Sequence, residues 1–481
     1  MTRTIADLPS PPGLPALGNA HQLRISKLHS TAERWAESYG PIFRFDLGPR
    51  RVVVIDDVEA IGACVRDRPD GFRRWSEIGE DYAGTGFAGV FDAEGDDWRR
   101  SRRLVVTALN SNHLQRYFHV VRTATGRLHG RLREEVHGGG GESLDITALL
   151  TSFTVDVTSA LAFGHDLNTL QRGDGELQRH IQRVFETSGR RLVKPVPYWR
   201  WVRLPADRAY DRSLAEIHRA VEGFIAQARE RIARRPELRE QPENFLESML
   251  VAQELDGKFS DEEIIGNTFT LLLAGEDTTA HTMAWTTWAL GALPEIQERW
   301  AIEAREVLGE GRYPDAYETI EQLRYGEAVL RESMRLKPVA PMMGLEPLHD
   351  TTICDTLIPA GTRMLLLTRR ASKRSGGFGQ PEEFDPDRWL EDDEGEGTRD
   401  PKNFLAFGGG PRFCPGRNLA FLESKCAMSM IARNFEIEPD ERHAPDERFA
   451  FTMIPYGLRV RLRERAPSRR PASVGEPLPV A

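Results

Sequence analysis

Cys414 is the residue whose surroundings in the sequence best suit a chemical role, that of a stabilised thiolate. It lies between a glycine-rich turn and Arg417–Asn434, a segment with a helical pattern. Backbone N–H groups at a helix N-terminus stabilise a thiolate. Gly410 and Gly416 permit backbone angles that a side chain would block, and Arg412 places a cation two residues before the sulfur. The stretch predicts a thiolate ligand, although three adjacent glycines alone would also fit a loop with an incidental cysteine.

The spacing Phe-x-x-Gly-x-Arg-x-Cys-x-Gly resembles the haem-binding loop of the cytochrome P-450 family. In that family the cysteine thiolate is the axial ligand of the iron. The five fixed positions are Phe407, Gly410, Arg412, Cys414 and Gly416. The resemblance implies haem b (iron protoporphyrin IX) as the cofactor and Cys414 as its metal ligand.

Trp98 and Arg102 lie four residues apart and therefore share one face of a predicted helix. An indole N–H and a guanidinium suit a carboxylate, although such a pair also fits surface packing. Many family members place a further propionate-binding arginine at about position 345, and Pro341–Pro347 contains none. The resemblance thus leaves propionate binding to Trp98, Arg102 and Arg412.

Glu262–Leu290 is the longest helical pattern and predicts a central, buried helix. Ala274 and Thr278 share a face that Leu271 extends, so the helix presents a small-residue notch with one hydroxyl, where a flat cofactor fits. A local kink is the alternative. The resemblance implies that Ala274 contacts the cofactor and that Asp277 and Thr278 form the acid–alcohol pair of oxygen activation.

Glu332 and Arg335 are predicted to lie on one face of a helix over Ile320–Leu336. Glu-x-x-Arg is also common on solvated helices. The resemblance implies that Arg388 joins them in a buried trio of charges before the cysteine loop. Because burial of charges is costly unless all are paired, we predict that the trio specifies geometry.

A set of apolar or small side chains is predicted to line a substrate pocket. Their chemistry favours an apolar, medium-sized guest such as a lipid, terpenoid, steroid or polyketide, without a choice among them. The same positions equally fit an ordinary core, and the glycine-rich loop 72–95 either enters the pocket or anchors itself to that core. The residues are Phe87, Val90, Leu271, Ala274, Val339, Ala340, Met342, Phe451 and Thr452.

The resemblance implies a mainly α fold with a small β region. We expect one catalytic domain over residues 1–464, with an extended segment at 1–23 and a disordered tail at 465–481. Alternation predicts a strand pair within Ile42–Asp56, a small sheet within Pro338–Ala371 and a hairpin over Phe449–Arg463.

Composition bounds the class of protein. The 481 residues carry 64 Lys and Arg against 73 Asp and Glu, and this net charge of −9 argues against nucleic-acid binding. Four scattered cysteines without a CxxC pair favour a reducing compartment. No apolar run approaches the roughly 20 residues that span a bilayer. We therefore expect a soluble, bacterial-type, monomeric protein of the cytoplasm without a membrane anchor.

The activity implied by the resemblance is that of a haem-thiolate monooxygenase, which inserts one atom of O2 into a C–H or C=C bond of an apolar small molecule. Since the chain has no flavin or iron–sulfur motif, a ferredoxin or flavodoxin with its reductase must supply electrons. Alternatives are a peroxide-driven or isomerising enzyme and a non-catalytic haem sensor or electron carrier. A basic patch would steer an acidic partner, unless these are ordinary solvated charges: Arg99, Arg100, Arg103, Arg417 and Lys425.

Overall fold

A computed structural model describes residues 3–77, 87, 89–138, 142–173, 175–192, 198–257, 259–374, 380–390, 404–440 and 442–466. Helices dominate this part of the chain, as expected from the sequence. In chain order they are α1 Leu28–Tyr39, α2 Val58–Arg66, α3 Gly95–Ala108, α4 Ser111–Gly138, α5 Ile146–Phe163, α6 Thr169–Arg172, α7 Glu176–Leu192, α8 Pro205–Arg234, α9 Phe245–Asp256, α10 Asp261–Ala292, α11 Pro294–Leu308, α12 Tyr317–Gln322, α13 Arg324–Leu336, α14 Thr368–Lys373 and α15 Arg417–Asn434.

The described strands form four small sheets. A five-stranded sheet has the order β2-β3-β8-β5-β4, a three-stranded sheet the order β1-β7-β6, and β10-β11 and β9-β12 are antiparallel pairs. The strands are β1 Arg3–Thr4, β2 Ile42–Leu47, β3 Arg50–Ile55, β4 Phe72–Arg74, β5 Met343–Pro347, β6 Thr351–Ile353, β7 Thr356–Ile358, β8 Arg363–Leu366, β9 Phe435–Pro439, β10 Asp446–Phe449, β11 Met453–Tyr456 and β12 Val460–Glu464.

Helix α10 occupies the centre of the helical part, where it contacts α5, α13, α15 and β9. A capping box starts it: Ser260 Oγ accepts from Glu263 N at 3.2 Å, and Ser260 N donates to the Glu263 carboxylate at 2.8 Å. Its neighbour α5 is, among the described residues, the one helix long and apolar enough to cross a membrane, and 67% of it is buried inside the protein.

The predicted helix over Ile320–Leu336 is two helices, α12 and α13, which meet at Leu323. Glu303 of α11 explains the break. Its carboxylate accepts from Tyr325 N at 2.6 Å and from Gly326 N at 2.8 Å, so it satisfies two free N–H groups of the new helix start.

The predicted hairpin over Phe449–Arg463 is wrong. β11 pairs with the preceding strand β10, whereas β12 pairs with β9. Gly457, at φ 79°, turns the chain away between them. Val460 and Leu462 of β12 are then buried in the main core together with side chains of β9, and this burial decides the pairing.

The ends of the chain also differ from the prediction. The segment 1–23 is not simply extended, since β1 pairs with β7 and residues Ile5–Asp7 and Ala20–Gln22 form short 3-10 turns. Arg465 is attached rather than free: its N–H donates to Asn434 O at 2.8 Å and its Nε to Phe435 O at 3.0 Å. The remainder of the predicted tail, from residue 467, lies outside the described residues.

Candidate haem and active site

The cysteine loop is closed by a backbone hydrogen bond from Cys414 N to Phe407 O at 2.9 Å. Gly408 and Gly410 have φ angles of 71° and 63°, in the left-handed region that favours glycine. A Cβ at Gly410 would lie 2.7 Å from Val65 O. Glycine at this position therefore allows α2 to pack directly against the loop.

The Cys414 sulfur is buried beside backbone N–H donors and a cationic side chain. Burial raises the pKa of its thiol, while hydrogen bonds from the backbone of Gly416 and Arg417 and the charge of Arg102 lower that pKa. Burial is the largest of these effects, so the thiol keeps its proton until a metal cation replaces it. The N–H groups at the start of α15 then remain as donors to the thiolate.

The three predicted propionate contacts lie together. The Arg412 guanidinium carbon is 4.7 Å from the centre of the Trp98 ring, and Arg102 is close enough to act electrostatically on both Arg412 and Cys414. Arg412 also pairs with Glu94, yet its Nε is buried without a partner. The Arg412 Nε is therefore an unsatisfied hydrogen-bond donor within this cluster.

A stripe of α10 remains accessible although the helix is central. Ala274 is exposed, and Leu271 and Thr278 on the same face are half-buried, whereas most other residues of the helix are buried. An exposed alanine in the middle of such a helix means that space adjoins this face. The space lies where the sequence predicts a flat cofactor and its substrate.

Gly275 has a different role from its neighbours on this stripe. A glycine inside a helix costs about 1 kcal/mol relative to alanine. A Cβ at Gly275 would lie 3.0 Å from Thr158 Oγ1 of α5. The glycine thus serves the close packing of α5 on α10.

Asp277 and Thr278 differ in how they are held. Burial raises the pKa of the Asp277 carboxyl, and His281, one turn further along α10, partly lowers it. Thr278 Oγ1 donates to Ala274 O at 2.6 Å, so the hydroxyl proton is already used and its lone pairs face the accessible side. The pair combines a carboxyl whose pKa is raised by burial with a hydroxyl whose own proton is donated to the backbone.

His281 is a site residue that the sequence analysis missed. Its Nδ1 lies 3.0 Å from Thr452 Oγ1, and burial lowers the pKa of its ring. The available signal was its i+4 spacing from Asp277. The contact joins the acid–alcohol turn of α10 to a segment predicted to line the pocket.

Two of the predicted lining segments contact α10, and a third is hydrogen-bonded to one of these two. Val90 N donates to Asn267 Oδ1 at 2.8 Å, and Met453 N donates to Val339 O at 2.8 Å. Since His281 binds Thr452, the three segments converge beside the accessible stripe. Other members of the set that keep accessible surface are Ala340, Met342 and Phe451.

Phe87 is placed differently from the other predicted lining residues. It is 0% exposed. Its ring stacks on Phe269 and on His218, each with ring centres 3.8 Å apart. These contacts are those of a core side chain that anchors its loop, while residues 78–86 of that loop lie outside the described residues.

The charged trio is fully buried and paired. Glu332, Arg335 and Arg388 are 0%, 0% and 4% exposed. Glu332 accepts from Arg335 at 2.8 and 2.9 Å and from Arg388 Nε at 3.0 Å. It thereby ties α13 to the segment that precedes the cysteine loop.

The predicted basic patch is largely neutralised. Arg99 pairs with Asp70 and Asp96, and Arg100 pairs with Asp97 and Glu263. The Lys425 side chain is only 5% exposed and pairs with Glu327. Near the cysteine loop, Arg324, Arg331 and Arg417 line a cavity with Phe407 and Phe413. Glu321 and Glu327 line it as well, and Glu327 pairs with Arg331.

The residues present fit a haem. Among the described residues, no cluster of three or more His, Cys, Asp or Glu side chains is arranged to hold a bare metal ion. A metal at Cys414 therefore needs a non-protein group for its other ligands, which a porphyrin supplies. The partnerless Nε of Arg412 suits a porphyrin carboxylate, and the Ala274 stripe suits its flat face.

Comparisons with known proteins agree with this geometry. Human mitochondrial 25-hydroxyvitamin D-1 alpha hydroxylase is 30% identical over 467 residues, covering 92% of this chain and 89% of the human protein. The chloroplastic protein LUTEIN DEFICIENT 5 of Arabidopsis thaliana is 26% identical, over 84% of this chain and 68% of the plant protein. A cytochrome P-450 monooxygenase of Gibberella moniliformis is also 26% identical, over 88% and 80%. Residues 8–462 match the family model for cytochrome P-450, and the chain belongs to that family.

Proposed function

We propose that Cys414 would bind the haem iron through its thiolate and that Asp277 and Thr278 would handle protons. As a cytochrome P-450 the protein binds haem and is a monooxygenase that uses O2, a substrate and electrons from a redox partner. The observation that carries the site assignment is the Cys414 thiol, buried yet provided with backbone donors and a neighbouring arginine.

The remaining cofactor contacts follow from the positions of the side chains. Trp98, Arg102 and Arg412 would hold the propionates, and Ala274 would lie against the porphyrin face. Phe407, Gly410 and Gly416 shape the loop that presents the sulfur. When bound, the haem supplies a redox-active iron that activates O2 for transfer to a C–H or C=C bond.

Proton delivery is assigned to the acid–alcohol turn. Burial raises the pKa of the Asp277 carboxyl above its ordinary value, and this shift suits the carboxyl to a role as proton donor. Thr278 Oγ1, whose own proton is donated to Ala274 O, accepts a hydrogen bond from the proton source. Before Thr278 can donate in turn, its hydroxyl must rotate away from that carbonyl.

Replacement of Cys414 by serine tests the ligand assignment. We expect the reduced carbon monoxide complex to lose its thiolate-type absorption spectrum. Cys426→Ala is the control, because Cys426 is fully buried in the core on α15 and should keep that spectrum. A thiolate-type spectrum in Cys414→Ser would exclude Cys414 as the ligand.

We assign an apolar, medium-sized substrate to the space beside α10, on the basis of Val90, Leu271, Val339 and Phe451. The human relative is named as a hydroxylase of 25-hydroxyvitamin D. A panel of lipids, terpenoids, steroids and polyketides, screened by the spin-state shift of the haem, tests the assignment. Selective response to charged, hydrophilic compounds would refute it.

We assign the electron donor to an acidic ferredoxin or flavodoxin that docks beside the cysteine loop. The support is a cavity beside Phe407 and Phe413 of the loop, in which three arginines, Arg324, Arg331 and Arg417, outnumber two glutamates. The rate of haem reduction should fall with added salt and with Arg331→Glu. A reduction rate indifferent to salt would exclude this docking mode.

We further propose that residues 1–464 act as one catalytic domain, that the protein is a monomer without a membrane anchor, and that it works in a reducing compartment. All four cysteines are free, which suits such a compartment. The cytoplasm expected from the sequence and the organelles named for the relatives both meet this condition. Sedimentation of the holoprotein, with and without lipid vesicles, tests the monomer and the absence of an anchor.

A further inference from the structure

Arg68 is a buried guanidinium that the polypeptide does not satisfy. It lies in the turn between α2 and β4 and is 3% exposed. Its Nε and Nη2 are buried without a hydrogen-bond partner, and no other arginine among the described residues has two such nitrogens. Because an unpaired charge is costly to bury, this position calls for an anion from outside the chain.

The position of Arg68 is next to the strand that lacks the expected arginine. Its Nη1 lies 3.6 Å from the sulfur of Met343, the first residue of β5. The other side of the turn is fixed by the cysteine loop, because Gly410 packs against the end of α2. Arg68 therefore lies between β5 and the loop, although it comes from a different part of the sequence.

The charges around Arg68 leave a positive excess. Arg74 and Arg412 act on it as like charges and Glu94 as an opposite charge, and with burial they lower the pKa of Arg68 to about 8. The Glu94 carboxylate is already paired with Arg412. A further carboxylate would therefore stabilise this cluster.

The geometry of the two free nitrogens specifies the anion. Nε and Nη2 lie on one edge of a guanidinium and can bind both oxygens of a carboxylate at once. Arg335 uses the same two nitrogens in this protein, with distances of 2.9 and 2.8 Å to the two oxygens of Glu332. At Arg68 the same edge is buried and has no hydrogen-bond partner.

We propose that Arg68 binds a haem propionate and replaces the strand arginine that this chain lacks. The inference rests on haem occupying the proposed site at Cys414. It adds a contact that the sequence motifs do not mark, because Arg68 lies in a turn outside all of them.

The first test compares the rate at which ferric holoprotein releases haem to excess apomyoglobin, followed by absorbance. Arg68→Gln should release haem roughly 10- to 100-fold faster, as expected for loss of a charged hydrogen-bonded contact. Arg66→Gln is the matched control, since Arg66 is exposed two residues away and should release haem at the wild-type rate. An unchanged rate in Arg68→Gln would overturn the proposal.

The second test removes the carboxylates from the ligand. Reconstitution with haem dimethyl ester should give wild type and Arg68→Gln the same release rate, because the contact is then absent from both. If Arg68→Gln still accelerates release of the ester, Arg68 does not act on a propionate. Arg68→Lys, which keeps the charge but not the two-nitrogen edge, should fall between the two and is the variant to use if Arg68→Gln does not fold.

The third test separates cofactor binding from a structural role. Loss of a propionate contact should leave the urea stability of the apoprotein unchanged or raised, since an unpaired buried charge is removed. A destabilised Arg68→Gln apoprotein would assign Arg68 to the fold instead. Arg68→Gln should also retain the thiolate-type spectrum, whereas a wild-type protein without that spectrum would refute the site at Cys414 rather than this contact.

Discussion

Replacing Glu332 by glutamine should destabilise the protein by about 3–5 kcal/mol, the cost of removing one partner from a buried ion pair. Glu332 is 0% exposed and its carboxylate accepts from two arginines. It also accepts from Asp385 N at 3.0 Å and from Trp389 Nε1 at 2.9 Å. The amide of glutamine removes the charge and turns one acceptor into a donor that faces other donors.

The magnitude can be read from thermal unfolding. An unfolding entropy of about 2.1 cal/mol/K per residue, over 481 residues, gives about 1 kcal/mol/K. The Glu332→Gln midpoint should therefore fall by about 3–5 °C. Haem content should fall as well, because the trio orders the segment that leads into the cysteine loop.

Glu134→Gln is the matched control. Arg131 and Glu134 form an ion pair with the same three-residue spacing, at 3.4 Å, but their side chains are 40% and 72% exposed. Such a pair contributes about 0.5 kcal/mol or less, so the midpoint should hardly move. If Glu332→Gln lay within about 1 kcal/mol of wild type, the buried trio would not be the brace that its geometry indicates.

Three further changes test the site. Thr278→Ala should bind haem normally but divert electrons to peroxide, measured as product formed per NADPH consumed; unchanged coupling would remove Thr278 from proton transfer. Asp277→Asn should lower turnover roughly 100-fold. Burial raises the folded-state pKa of Asp277 above its ordinary 3.8, so ionisation of this carboxyl opposes folding of the wild type above that pH. The free energy of unfolding of Asp277→Asn should therefore rise relative to that of the wild type on titration from pH 3.8 to 7, with no such relative gain below pH 3.8. Gly410→Ala should cost about 1–3 kcal/mol and reduce haem content, whereas Gly95→Ala, with φ 57° and nothing within 4 Å of a Cβ, should retain haem.

Local sequence signals predicted much of the framework. The helical pattern placed α15 at its observed bounds and α10 within two residues at each end. The break between α12 and α13 was invisible, since it depends on Glu303 from another helix. The partners of β11 and β12 were also unpredictable, because burial against β9 rather than the local turn decides them.

The site shows the same division. Motifs with fixed spacing identified four of the candidate site residues in the sequence: Cys414, Trp98, Arg102 and Thr278. Arg68 belongs to no such motif, and the lack of partners for its Nε and Nη2 is seen only in three dimensions. Phe87 shows the opposite case, in which a sequence signal points to the pocket and the structure does not. A phenylalanine in a glycine-rich loop resembles a pocket residue, but Phe87 stacks on Phe269 and His218 in the core.

The electrostatics of the site make cofactor binding part of folding. Arg68 and Arg412 keep buried nitrogens without partners, and burial holds the Cys414 thiol in its neutral form. Anions would stabilise the two arginines, whereas a cation would stabilise the thiolate form of the sulfur. A haem supplies both in one molecule, with carboxylates at one edge and iron at the centre. Because a ligand that binds only the folded state stabilises it, the apoprotein should be much less stable than the holoprotein, and the difference should shrink when the propionates are esterified.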